Sequence, residues 1–264
     1  SANDILGYDI KKIMFSGPEE LLRQTIHTQP AMYIVSFIIG KLLIQNGFNP
    51  SCAAGHSLGE FSAFSIAGAF SYENGLKLVQ ARAEAMHEAG QNRPGTMAAV
   101  VGLEEKKIEE ICSNFSNGVA CIANYNSSSQ VVISGDVDSI KKVSPQLLDA
   151  GAMKVIPLNV SGAFHSPLMS SAKEKLDEYL RSIEIANTDF PVYANFTSKA
   201  VQEKSEIQNV LLNQIENPVL WHRSISQMIK DGVKSCIETG PGKVLQGLSR
   251  RIDRSLIMYG AESY

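Results

Sequence analysis

Gly55-His56-Ser57-Leu58-Gly59 is the segment of this 264-residue chain whose residue types and order could do covalent chemistry. A serine hydroxyl becomes nucleophilic near neutral pH only beside a base. G-x-S-x-G between a strand and a helix is a turn that holds such a serine clear of the chain. The reason is steric: glycines on either side remove side chains that would strike the neighbouring strand and helix, and they permit unusual dihedral angles. A helix starting beside Ser57 would direct free N–H groups and the positive end of its dipole at developing negative charge. The N–H of Leu58 is then the natural oxyanion donor. Cys52-Ala53-Ala54 reads as the strand ahead, and the small residues after Gly59 read as the helix behind.

Five histidines could supply the base. His27 and His87 lie on helical segments and read as surface or structural residues. His56 adjoins Ser57, but consecutive side chains diverge, so it reads as a packing or hydrogen-bonding residue of the turn. His222 follows the single tryptophan, Trp221, near a helix start, and reads as structural. His165 sits in Ser161-Gly162-Ala163-Phe164-His165-Ser166-Pro167, a loop between two structural units, and such loops carry sites. Spacing singles it out without deciding the matter. Arg82, in Gln80-Ala81-Arg82-Ala83-Glu84, reads on pattern alone as a solvated charge on a helix surface.

These residues need elements to position them. Residues 19–46 read as one helix, with Glu19 and Glu20 in the first turn and Gly47 as the stop. Residues 72–89 read as another, with Leu76, Val79, Ala83 and Met86 on one face. After Pro94-Gly95 the order is strand 97–101, helix 104–114, strands 119–125 and 130–134, helix 137–150 and strand 153–158. That β-α-β-β-α-β order is the ferredoxin-like arrangement. From residue 161 on, helices alternate with short apolar runs, which argues an α/β layer architecture with a mainly parallel sheet. The expected division is a large subdomain over 1–93 and 160–264, and a small inserted one over 94–159.

Composition narrows the classes. With 44% hydrophobic and 19% charged residues and a formal net charge of −3, the chain has the balance of a globular protein. No basic block points to nucleic acid. Cys52, Cys112, Cys121 and Cys236 are scattered, so neither a disulfide framework nor a metal site is expected. The longest apolar stretch, residues 31–44, is short for a bilayer span and carries Lys41, so no membrane association is expected.

Taken together, the chain resembles the malonyl-CoA:acyl carrier protein transacylase family, the acyltransferases of fatty acid and polyketide synthesis. The resemblance rests on Thr28-Gln29-Pro30-Ala31, Gly55-His56-Ser57-Leu58-Gly59-Glu60, Arg82, Gly162-Ala163-Phe164-His165-Ser166, Asn217-Pro218-Val219 and Glu238-Thr239-Gly240-Pro241-Gly242, all in the family's order and separations. It implies an α/β-hydrolase-like large subdomain carrying a ferredoxin-like insert. Ser57 would be the nucleophile and His165 the general base, oriented by the backbone carbonyl of Gln214. Arg82 would grip the free carboxylate of malonyl. Phe164, Asn124, Asn126, Gln29 and His56 would line the substrate, Asn124 and Asn126 facing the pantetheine arm. The implied reaction moves malonyl from malonyl-CoA to the phosphopantetheine thiol of acyl carrier protein by a ping-pong route, with no permanently bound cofactor. A monomer is expected, in a bacterial cytoplasm or a fatty-acid-synthesising organelle. A local basic patch including Lys173, Lys175, Arg250 or Arg251 would meet the carrier.

Two rival readings stand beside this one. A serine thioesterase or esterase would share the turn, but would normally carry an Asp or Glu as a third member. Family members also begin with a strand ending in a Gly-Gln-Gly-Ser-Gln loop that supplies a second oxyanion N–H, and the sequence opens downstream of it. A protein lacking that loop would be a catalytically impaired acyl-binding module.

Overall fold

The computed structural model describes residues 1–261. Short helices α1 (Ala2–Leu6), α2 (Ile10–Ser16) and α3 (Glu19–Leu22) lead into the long α4 (Thr25–Gln45). The helix expected over 19–46 is therefore interrupted at Arg23-Gln24. Thr28 Oγ1 lies 2.5 Å from Leu22 O, a carbonyl at the break, and 3.0 Å from Gln24 O, which also accepts from His27 N–H and Thr28 N–H. Pro30, inside α4, has no N–H for the carbonyl one turn earlier, Ile26. Tyr8 Oη donates to that carbonyl at 3.3 Å instead.

Strand β1 (Ala53–Ala54) ends at the turn that carries Ser57, followed by α5 (Leu58–Ile66) and α6 (Tyr72–Asn92). The next elements are β2 (Gly95–Val101), α7 (Glu105–Ser113), β3 (Ala120–Ser127), β4 (Gln130–Asp136), α8 (Val137–Asp149) and β5 (Lys154–Pro157). The chain closes with α9 (Ser170–Ser182), β6 (Val192–Tyr193), β7 (Ala200–Val201), α10 (Lys204–Asn213), α11 (Trp221–Lys230), β8 (Ser235–Glu238), α12 (Val244–Ile252) and β9 (Ile257–Gly260). The fold is mixed α/β.

Strands β2 to β5 form one antiparallel sheet in the order β3-β4-β2-β5. One face carries alternate residues such as Ala98, Val100, Val131 and Ile133, which pack with Ile108 of α7 and Val143 and Leu147 of α8 in a core of their own. The period-2 alternation of strand side chains puts those residues on that face. Outside this sheet, β1 pairs parallel with β6, β6 antiparallel with β7, and β8 parallel with β9. Two of these three pairings are parallel, but they lie in two separate short sheets. A larger core lies among α4, α5, α6 and α9, built on Tyr33, Phe61, Phe64, Leu76 and Leu176.

Three contacts bring the candidate site residues together. The Asn124–Val219 bridge joins β3 to the segment before α11, with Tyr125 N–H donating to Val219 O at 2.9 Å and Val219 N–H to Ala123 O at 2.8 Å. The loop carrying His165 crosses α6 at Gly90, where an added Cβ would lie 2.6 Å from Ser161 O. Helix α6 meets α4 at Gly75, where an added Cβ would lie 2.0 Å from the Tyr33 hydroxyl. That hydroxyl is pinned by Ser65 Oγ at 2.7 Å and by Tyr72 O at 3.2 Å, so it has little freedom to withdraw. Among the described residues no helix is long and apolar enough to cross a membrane.

Gly75→Ala is expected to lower the unfolding free energy by about 1–3 kcal/mol, the usual cost of overpacking a filled contact. Urea titration of the two proteins measures it, and an unchanged midpoint would show that the two helices separate at no cost.

Candidate active site

Ser57 stands at the turn between β1 and α5 with φ 53° and ψ −109°, a left-handed conformation that a residue with a side chain adopts only under constraint. The glycine at 55 is required by space: an added Cβ would lie 1.9 Å from Gly59 C and 2.0 Å from Gly59 O. Leu58 is the first residue of α5, so its N–H belongs to the helix N-terminus beside Ser57.

His165 is buried and also has a positive φ, 57°. Its Nε2 lies 2.8 Å from Ser57 Oγ, and its Nδ1 lies 2.8 Å from the backbone carbonyl of Gln214. A carbonyl only accepts, so Nδ1 carries the proton and Nε2 presents its lone pair to the serine hydroxyl. Burial, reinforced by the Arg82 charge, pulls the imidazole from 6.5 down to about 3. The ring is therefore neutral at physiological pH, the form that can accept a proton.

Arg82 overturns its pattern-based reading as a surface charge, being only 1% exposed. Its immediate neighbours on α6 are polar or small, and burial comes from other elements folding over it. Nη1 donates to Gln29 Oε1 at 2.5 Å, and Nη2 to Gln214 Oε1 at 2.8 Å and to Ser57 Oγ at 3.1 Å. The guanidinium carbon lies 5.0 Å from the centre of the Phe61 ring, a cation–π distance. Nε is buried without a hydrogen-bond partner. Among the described residues, no carboxylate oxygen lies within ion-pair distance of this cation. Burial lowers its pKa to about 10, so it stays charged at neutral pH.

Gln214 is a hub. Its carbonyl holds His165, its Oε1 holds Arg82, and its Nε2 donates to Ser57 O at 2.9 Å and also to Glu60 Oε2. Glu60 is fully buried, and that burial pushes its carboxyl up to about 8 against the opposing hydrogen bonds from Gln214 and Asn195 and the charge of Arg82.

The remaining candidates surround this cluster. Gln29, on α4, donates to Thr25 Oγ1 at 2.8 Å while accepting from Arg82. His56 Nε2 lies 2.8 Å from Asn126 Oδ1, and its ring sits 5.5 Å from that of Trp221. Asn124 is buried in the bridge to Val219. Phe164 packs against both the helical core and the second face of the four-stranded sheet. The other histidines stand elsewhere: His27 packs edge-on to Tyr8, His87 pairs with Gln91, and His222 lies 3.5 Å from Glu105. Among the described residues no group of His, Cys, Asp or Glu side chains could hold a metal ion. The Glu238 carboxylate accepts from Leu245 N–H at 2.9 Å and Gln246 N–H at 3.2 Å, so that motif residue caps the first turn of α12.

Sequence reasoning missed Asn195 altogether and assigned Glu60 no task. Asn195 contacts Ser57 from 138 positions away, beyond the reach of any local pattern. Glu60 stood in the motif as an acidic residue in a helix's first turn, where an exposed carboxylate is ordinary.

Residues 2–255 match the acyl transferase domain family. The chain belongs to this family. The acyl transferase domain thus spans nearly the whole chain. The chain is 37% identical over 257 residues to the malonyl CoA-acyl carrier protein transacylase of Bacillus subtilis, covering 97% of this chain and 81% of that protein. A solved acyl carrier protein S-malonyltransferase from Vibrio cholerae superposes with a TM-score of 0.94 at 37% identity, covering 98% of this chain and 85% of that one. A malonyl-transacylase solved in complex with a type II polyketide acyl-carrier protein superposes with a TM-score of 0.94 at 36% identity, covering 98% and 84%.

The depressed pKa of His165 gives a signed pH expectation. Only the neutral ring accepts the Ser57 proton, so activity is lost as pH falls through the folded pKa, near 3 rather than 6.5. Between pH 7 and pH 5 the rate of Ser57 acylation should stay nearly constant, where an unperturbed imidazole would lose roughly 25-fold. Stopped-flow release of the thiol product measures this, and an acid limb centred near 6.5 would place the working base elsewhere.

Proposed function

We propose that this chain transfers the malonyl group of malonyl-CoA to the pantetheine thiol of an acyl carrier protein, through an ester on Ser57. The observation that carries the reading is Arg82: a buried cation 3.1 Å from the Ser57 hydroxyl, with no carboxylate on it among the described residues. A guanidinium offers two parallel N–H groups to a carboxylate. An acyl group ending in a carboxylate supplies the missing partner at the distance where its carbonyl meets the serine.

The chemistry then follows from the hydrogen bonds. Ser57 Oγ attacks the thioester carbonyl while His165 Nε2 takes its proton, and Gln214 O holds the ring through Nδ1. The oxyanion forms beside Leu58 N–H, a donor worth roughly 3 kcal/mol in such sites. Coenzyme A departs as the thiol with the proton from His165. The carrier's thiol then gives its proton to His165 and attacks the Ser57 ester; as the ester C–O bond breaks, His165 Nε2 returns that proton to Ser57 Oγ. This two-stage exchange is ping-pong. Orientation of the base by a carbonyl rather than a carboxylate weighs against the hydrolase reading, and the short Ser57–His165 contact weighs against an inert acyl-binding module.

The finer architecture belongs to the same proposal. Residues 94–159 form a ferredoxin-like subdomain inserted in an α/β-hydrolase-like one made of 1–93 and 160–264. The order β3-β4-β2-β5 and the separate core beneath α7 and α8 support this division. Asn124, Asn126 and His56 line the side of the cleft from which the pantetheine arm arrives, and Phe164 closes the malonyl end. Of the positions proposed for carrier docking, Lys173 pairs with Glu216 at 2.6 Å, Lys175 pairs with Glu88, and Arg251 donates to Gln130 at 3.3 Å.

Mass spectrometry after mixing with malonyl-CoA should show a malonyl adduct on the protein that Ser57→Ala abolishes; an adduct persisting in the variant would overturn the reading. Arg82→Ala should lose on the order of 2–5 kcal/mol of transition-state binding for malonyl-CoA while gaining acetyl transfer relative to malonyl. The ratio of kcat/KM for the two thioesters reads this out, and an unchanged ratio would take Arg82 out of the acyl pocket.

A further inference from the structure

Asn195 follows β6, the strand that pairs parallel with β1, in the register Ala54 to Tyr193. Two residues beyond that pair on each strand stand His56 and Asn195, so the carboxamide arrives level with the nucleophile turn. Its Nδ2 donates to Gly55 O at 2.6 Å, and its Oδ1 accepts from Ser57 N–H at 2.7 Å. One side chain therefore holds the backbone on both sides of His56. Asn195 is itself held by its own peptide groups: its N–H donates to Glu60 Oε1 at 3.0 Å, and its carbonyl accepts from Leu220 N–H at 2.9 Å. The side chain is completely buried, so water cannot take over either bond.

We propose that Asn195 is a positioning residue for the nucleophile, a two-point carboxamide clamp that keeps Ser57 in its left-handed conformation and aims its Oγ at His165. A residue at φ 53° and ψ −109° relaxes unless its surroundings over-determine it. The helix side of the turn is held by its own hydrogen bonds, Gly59 N–H to His56 O at 2.9 Å and Glu60 N–H to Ser57 O at 3.1 Å. The strand side has the Asn195 carboxamide. Because Ser57 N–H is spent on this clamp, the serine's own amide does not serve the oxyanion, and that task falls to Leu58. Glu60 extends the clamp: it joins the Asn195 amide to the Gln214 side chain, which holds Arg82 and whose carbonyl orients His165.

The proposal rests on Ser57 as nucleophile, and its test separates the two. Phenylmethylsulfonyl fluoride reports serine reactivity without using Arg82, and labelling of wild-type Ser57 checks the nucleophile itself. An unlabelled wild-type serine removes the nucleophile, and the clamp with it. Given a labelled wild type, Asn195→Ala should lower kcat and the labelling rate together by about 10²-fold, the cost of misplacing a reacting atom by an ångström, while the KM for malonyl-CoA stays within about two-fold. Asn195→Asp, of the same shape, keeps the acceptor for Ser57 N–H but turns an oxygen toward Gly55 O. It should show the same split between kcat and KM with a smaller loss, and it carries the test if the alanine variant does not fold. Wild-type kcat in a folded variant, or a loss confined to KM, would overturn the clamp.

Discussion

A guanidinium charge held out of water, with no carboxylate touching it among the described residues, is the constraint around which this site is built. Burying a charge without its counter-charge is costly, and proteins tolerate it where neutral dipoles surround the ion and a ligand completes the pair. Here the dipoles are the carboxamides of Gln29 and Gln214 and the Ser57 hydroxyl, supplied by α4, the segment after α10 and the nucleophile turn. Each of these elements is therefore tied to α6 by Arg82. Removing a contact in the cluster exposes the cation to a worse environment, so positions far apart in sequence become mutually dependent.

The same cluster explains the choice of amides over carboxylates. A glutamate in place of Gln29 or Gln214 would satisfy Arg82 permanently and leave nothing for an incoming anion. A glutamine oxygen gives a weaker contact that an acyl carboxylate can replace. Glu60 stands one step back: its hydrogen-bonded connection to the cation runs through the Gln214 side chain, and the two groups also feel each other's charge. Burial pushes its carboxyl up to about 8, against the hydrogen bonds from Gln214 and Asn195 and the charge of Arg82.

Local patterns made some of this legible in the sequence. The elements of residues 95–157 announced themselves because each strand is short, apolar and bounded by polar turns, and each helix has one apolar face, as with Ile108 and Cys112 of α7 or Ile140, Val143 and Leu147 of α8. The nucleophile turn was legible because its glycines answer a local steric need. The break at Arg23-Gln24 was not, since it depends on a threonine hydroxyl turning back on two carbonyls. Arg82 was misread for a related reason: it stands among polar neighbours such as half-buried Gln80 and exposed Glu84, while its own burial is decided by residues 53 and 132 positions away. Asn195 carried no local mark at all. The family resemblance grouped Ser57, Arg82, His165 and Gln214 where periodicity could not, but it did not include Asn195.

The neutral carbonyl behind His165 has an effect on the cargo. When the ring takes up a proton, no anion waits at Nδ1 to balance it, and the nearest charge on the other side, Arg82, repels it. Cargo that brings its own anion to Arg82 cancels that repulsion at the moment the ring must become positive, whereas electrically neutral cargo leaves two like charges facing each other across the serine. Under the proposed mechanism, discrimination would then act on the speed of the proton transfer as well as on the grip.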